Sequence, residues 1–218
     1  MGISRKSEQE KLAWLAALID GEGTIRLGLV KDVGANAFYM EPQISISNHN
    51  IEILEIAKVM IEGSRITQSC TELIVNKQDV IKKLLIQLKD LLIVKRKQAI
   101  LLLEYLAYRE VCGVTPHSET DIYYLKELSK LNSRQGPPKH LQEFEEYLKH
   151  RNFKSAIDVL NHMEPTVWYD AAKIRQIQGG SDSSAQRCIK RLEENNLIEK
   201  MVIHNRLHWR KVLENNSL

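Results

Sequence analysis

The stretch Leu15-Ala16-Ala17-Leu18-Ile19-Asp20-Gly21-Glu22-Gly23 decides how this chain is read. It closes a helix that opens at Ser7, where Ser7 followed by Glu10 has the spacing of a capping box. Leu12, Leu15, Ala16 and Ile19 recur at helical spacing, so a helix is expected over 7–18. Ala13, Ala16 and Ala17 are small and let a second helix approach closely. Asp20-Gly21-Glu22-Gly23 is expected to end the helix, because two glycines within three residues break it. Acids at a helix C-terminus oppose the macrodipole, at a cost of about a few tenths of a kcal/mol. Asp20 and Glu22 bear that cost, which points to a role beyond stability.

Outward from this segment the period changes from helical to alternating. Residues 24–29 alternate around Ile25, Leu27 and Leu29, and residues 39–47 alternate apart from Pro42. Residues 32–36 form the expected loop between these two strands. The face left available carries Thr24, Arg26, Tyr39, Glu41, Gln43 and Ser45. These side chains donate and accept hydrogen bonds as a reader of base edges must, or they simply form a solvated face. A helix follows over 50–61, then short strands near 65–69 and 72–75, with Arg65 and Thr67 on the first. Helices fit 77–88, 97–109 and 120–131. This order suits an α+β fold with one four-stranded antiparallel sheet covered by helices on one face.

Residues 132–138, Asn-Ser-Arg-Gln-Gly-Pro-Pro, read as a linker. The expected organisation is a domain over 1–135, a linker with a short helix over 136–151, and a small domain over 152–218. Within the last, helices are expected over 153–163, 169–178 and 183–195, with Gly179-Gly180-Ser181 as a turn. Ala185, Cys188, Ile189 and Leu192 face inward. Strands over 198–203 and 207–212 join at His204-Asn205-Arg206. Helix, turn, helix and a two-stranded ribbon is a winged-helix layout, which sets the second helix in the major groove. Arg187, Lys190, Arg191, Arg206, Arg210 and Lys211 are its candidate DNA contacts, or else a solvated face.

The 218 residues carry a net charge of +3. Residues 1–150 hold 20 basic and 20 acidic side chains, and residues 151–218 hold 11 and 8. Nucleic-acid binding must therefore come from local patches such as Lys95-Arg96-Lys97. Three widely spaced cysteines, with no CxxC pair, argue against a disulfide framework or zinc site and fit a reducing intracellular compartment. The most apolar region, 84–106, is broken by Lys89, Asp90, Lys95, Arg96, Lys97 and Glu104, so no membrane span is expected.

Residues 15–23 closely resemble the motif that names the LAGLIDADG homing endonucleases, departing at Ala17, Gly21 and Glu22. The resemblance covers roughly residues 11–131. It implies an αββαββα domain whose sheet lies against double-stranded DNA, and hydrolysis of phosphodiester bonds. Chains with one motif look like homodimers, which implies pairing through Leu12, Ala13, Ala16, Ala17 and Asp20 and a nearly palindromic site. Paired acids at the dimer axis then hold Mg²⁺ or Mn²⁺, with Glu22 and the Gly21 carbonyl as ligands. Asn48 matches a family residue that helps hold the nucleophilic water, though it also suits the cap of the next helix. Lys95 matches a lysine near the scissile phosphate, with Arg96 and Lys97 beside it on the DNA, or the three form a solvated basic turn. Two rival functions remain open at this point. One is a non-cleaving regulator that joins such a domain to a helix-turn-helix, and the other is an intron maturase that binds RNA.

Overall fold

The computed structural model describes residues 7–32, 37–112, 117–132, 136, 138–149 and 156–212. Most of the expected linker and of the loop between the first two strands lies outside the described residues. The contacts divide the chain into two units, Met1–Leu106 with Ile122–Phe144, and Ala107–Asp121 with Glu145–Leu218.

The first unit opens with α1 (Glu8–Glu22), capped reciprocally by Ser7 and Glu10. β1 (Gly23–Asp32) and β2 (Ala37–Ser47) follow, then α2 (Ile51–Met60), β3 (Arg65–Ile66), β4 (Glu72–Val75) and α3 (Gln78–Leu88). All four strands pair antiparallel in the order β1-β2-β4-β3. The expected α+β fold is therefore present, with strand pairing set by the alternation. Ile25 faces Ile44, which faces Val75, and all three are fully buried. Leu15, Ala16 and Ile19 of α1, Leu54 and Ala57 of α2, and Ile81, Leu85 and Leu88 of α3 complete the core. Pro42 pairs with Leu27 of β1 but lies beyond Ile44, where pairing with β4 stops, so β2 has a strand on one side only there. α4 (Arg96–Cys112), α5 (Glu119–Leu131) and α6 (Leu141–Lys149) each cross the division between the units.

Two expectations for this unit need correction. α1 continues through Asp20, Gly21 and Glu22 instead of stopping at residue 18. Gly21 keeps helical backbone, and the break comes at Gly23, whose N–H donates to the Ile19 carbonyl while its own backbone is already extended (φ −90°, ψ 165°). The polar sheet face is not open throughout. Tyr39 is 45% exposed, but Gln43 and Ser45 are only 6% and 7% exposed, closed in by neighbours in the centre of the sheet.

The second unit has its own core of Val159, Leu160, Met163, Ile174, Leu192 and Trp209, among others. It contains α7 (Ala156–His162), β5 (Tyr169–Asp170), α8 (Ala171–Gln178), α9 (Asp182–Glu194), β6 (Ile198–Ile203) and β7 (Arg206–Lys211). Tyr169 and Asp170, expected to begin a helix, instead pair with Trp209 and His208 of β7. Asp170 then caps α8 through the Lys173 amide, which separates the strand from the helix. The sheet order is β5-β7-β6, and His204 and Asn205 make the β6–β7 turn with φ of 48° and 61°. Ala185, Cys188, Ile189 and Leu192 face inward as expected. All three cysteines are free.

Candidate functional site

The acids at the end of α1 do different things. The backbone N–H groups of Ile93 and Lys95 donate to the Asp20 carboxylate at 2.7 and 2.8 Å. The Lys95 ammonium donates to the Asp20 carbonyl at 2.5 Å. Partial burial opposes ionisation of Asp20, but the amides of Ile93, Lys95 and Val94 and the Lys95 charge outweigh it and hold the carboxyl below its ordinary value. The carboxylate of Asp20, a candidate residue for the dimer face, is engaged within its own chain and ties the segment before α4 to the end of α1. Glu22, two residues on, is exposed and has no hydrogen-bond or ion-pair partner among the described residues.

Two glycines shape this end for opposite reasons. A side-chain carbon on Gly23 would lie 2.6 Å from the Ile19 carbonyl oxygen and 2.8 Å from Ile19 Cα, so only glycine permits a direct passage from helix to strand. A carbon on Gly21 would meet nothing within 4 Å, so the missing side chain there leaves surface open. Register brings Asn48 to the same end, since Gly23 pairs with Ile46 and Asn48 lies two residues beyond. The Asn48 side chain accepts from the Asn50 amide at 2.8 Å, and Asn50, not Asn48, caps α2.

On the expected pairing face of α1, Ala13 and Ala17 are exposed and Leu12 is half-buried. Ala16 is 1% exposed and belongs to the core of its own unit, because the helix turns it toward the sheet with Leu15 and Ile19. On the sheet, Arg26 Nε donates to Gln43 Oε1 at 2.6 Å. Thr24 and Glu41 are half-buried, Arg65 is exposed, and Thr67 turns its hydroxyl to the Glu72 carbonyl at 3.2 Å. Arg96 and Lys97 are exposed at the start of α4, Arg96 paired with Asp90 at 3.0 Å.

No protein-family model and no curated protein matches this chain. Among solved structures, the homing endonuclease I-TnaI superposes with a TM-score of 0.53 at 20% identity, over 63% of this chain and 96% of that one. The chain has the LAGLIDADG homing-endonuclease fold. The homing endonuclease I-CvuI in complex with its target aligns at 21% identity and a TM-score of 0.48, over 66% of this chain and 97% of that one.

In a homing-endonuclease fold, the described end of α1 offers hard oxygen donors and a fixed ammonium. Glu22 and the Gly21 carbonyl suit a small divalent cation, which prefers oxygen ligands and retains several waters. Among the described residues no three His, Cys, Asp or Glu side chains gather into a cage, and the Asp20 carboxylate is already engaged. One chain therefore supplies a single uncommitted acid at this point.

In the second unit, Arg187 and Arg206 are exposed, and Lys190 lies 3.7 Å from Glu194. Arg191 is turned inward to the Cys112 carbonyl at 2.6 Å. Arg210 pairs with Glu199 at 2.6 Å and stacks on Trp168, while Lys211 is half-buried.

Two features escaped the sequence reading. One is the Asp20 clamp, which links residues 73 and 75 positions apart and has no local signal. The other is a buried group in the second unit where Arg109 lies 3.2 Å from fully buried Asp121 and His117 lies 3.5 Å from it. Ser118 and Asp121 have the spacing of a capping box, and the Ser118 amide donates to Asp121 at 2.7 Å, so that signal was present.

Proposed function

We propose that this chain is a site-specific endonuclease that cuts double-stranded DNA as a homodimer, with a divalent cation such as Mg²⁺ or Mn²⁺. The observation that carries the reading is the pairing of a fixed cation with an uncommitted acid. Lys95 is bound to the last turn of α1 at Asp20, and Glu22 lies exposed two residues further. A regulator that binds without cutting has no need of either group.

The chemistry follows from these side chains. Glu22 and the Gly21 carbonyl would hold the cation, which when bound would acidify a water and offset charge at the scissile phosphate. Lys95, held against the Asp20 carbonyl, adds positive charge on the phosphate side of the site. Asp20 is the positioning residue for Lys95. Asn48 orients water through its side chain at the neighbouring end of β2.

One uncommitted acid per chain supports a dimer in which two copies bring Glu22 together, pairing through Ala13, Ala17 and Leu12. The target is then nearly palindromic, with the sheet of each copy in the major groove. The second unit is read as a winged helix that lengthens the site through Arg187, Lys190 and Arg206. Arg191 and Arg210, engaged within their own unit, are secondary in that role. Free cysteines support a reducing intracellular compartment.

The test is incubation with a partly palindromic randomised DNA library and Mg²⁺, with sedimentation analysis of the same preparation. Discrete double-strand cuts by a species of twice the 25.1 kDa chain mass are expected. Selective binding without cutting under Mg²⁺ or Mn²⁺ would overturn the enzyme reading in favour of a regulator. Selective binding of an intron transcript alone would favour a maturase.

A further inference from the structure

Arg26 and Gln43 face each other across β1 and β2 on the polar side of the sheet. They are unequal partners. Gln43 is 6% exposed, whereas Arg26 is exposed. The bond between them is short, 2.6 Å, and its direction is settled by chemistry, because a guanidinium Nε–H can only donate. Gln43 must turn its oxygen to Arg26, so that acceptor is occupied.

Arg26 has no other hydrogen-bond or ion-pair partner among the described residues. The Nε bond restrains the guanidinium and leaves the end-on pair, Nη1 and Nη2, without a partner among the described residues. Gly28, the next residue of β1 on this face, adds no side chain that would crowd the group. An arginine ordered before binding loses less rotamer freedom when it binds. Two parallel N–H donors match two adjacent acceptors. In the major groove that pattern, O6 with N7, belongs to guanine alone.

We propose that Arg26 reads a guanine and that Gln43 acts as its positioning residue instead of contacting a base. This rests on the reading that the sheet lies in the major groove, and it deepens that reading by naming the base. If two copies bind, guanine recurs at symmetry-related positions of the two half-sites.

The experiment is sequencing of the bound fraction from a randomised library, for wild type, Arg26→Ala, Gln43→Leu and Gln43→Glu. Wild type is expected to require guanine at one position of each half-site. Arg26→Ala should lose that preference by about ten- to a hundred-fold, with the other positions kept. Gln43→Leu removes no charge and should relax the same position. Gln43→Glu retains an acceptor for Nε and should keep guanine, and it serves as the folded control if Gln43→Leu proves unstable. A uniform loss across all sequences in Arg26→Ala, with the salt slope smaller by about one, would mark Arg26 as a phosphate contact and overturn the inference. Relaxation of a different position in Gln43→Leu would overturn it too, by making Gln43 a reader. Failure of wild type to select any sequence would instead sink the DNA-binding reading beneath it.

Discussion

At the level of single residues, the end of α1 separates fold from function. Gly23 is required by the fold, since a side-chain carbon there would strike backbone atoms of Ile19. Gly23→Ala should cost about 1–3 kcal/mol in thermal or denaturant unfolding. Gly21→Ala meets open space and should leave stability unchanged or raise it by up to about 1 kcal/mol, yet lower DNA cleavage if close approach matters there. Equal effects of the two substitutions on stability would contradict this division. Asp20→Ala strands the Ile93 and Lys95 amides, at about 1–2 kcal/mol, and frees the segment that carries Lys95. Cleavage at saturating DNA should fall more than DNA affinity does. Loss of affinity with an unchanged cleavage rate would show that Asp20 does not position Lys95.

At the level of elements, alternation revealed β1 and β2, and helical periodicity revealed α1 to α3, because each buries one face. What was illegible depended on partners far along the chain. Glycine's reputation as a breaker hid the last turn of α1, which is sustained by the Gly23–Ile19 hydrogen bond and by Asp20's anchorage to the segment before α4. β5, two residues long, exists only because β7 pairs with it, and polar alternation alone could not show that Gln43 lies closed in. The start of α5 yields a further test. Asp121 is fully buried, and although burial opposes its ionisation, His117 and Arg109 hold its carboxyl below the ordinary range. A carboxyl with a depressed folded pKa stabilises the protein above its unfolded value of about 3.9, and that contribution is lost as pH falls through the folded value. Asp20 has the same sign. Asp121→Ala should cost about 3–5 kcal/mol near neutral pH by stranding the buried Arg109 charge. It should also flatten the loss of stability below about pH 4. Melting curves between pH 2 and 7 would check both, and an unchanged acid limb would contradict the assignment.

At the level of the whole molecule, each of the two units has its own core. Leu192 is fully buried in the second core, so Leu192→Ala should cost that unit about 2–5 kcal/mol. Circular dichroism melting should then show the second unit lost first, with the first unit's transition kept. A single transition moving as one would mean that the two cores do not unfold separately. Cleavage by the first unit turns on one carboxylate, and it is tested by cutting of the selected target with wild type and Glu22→Gln, with binding recorded in parallel. Glu22 is exposed and has no hydrogen-bond or ion-pair partner in the described fold, so the substitution should leave stability and site-selective binding intact while double-strand cleavage in Mg²⁺ disappears. Undiminished cleavage by Glu22→Gln would show that the Glu22 carboxylate does not hold the cation that cleavage needs.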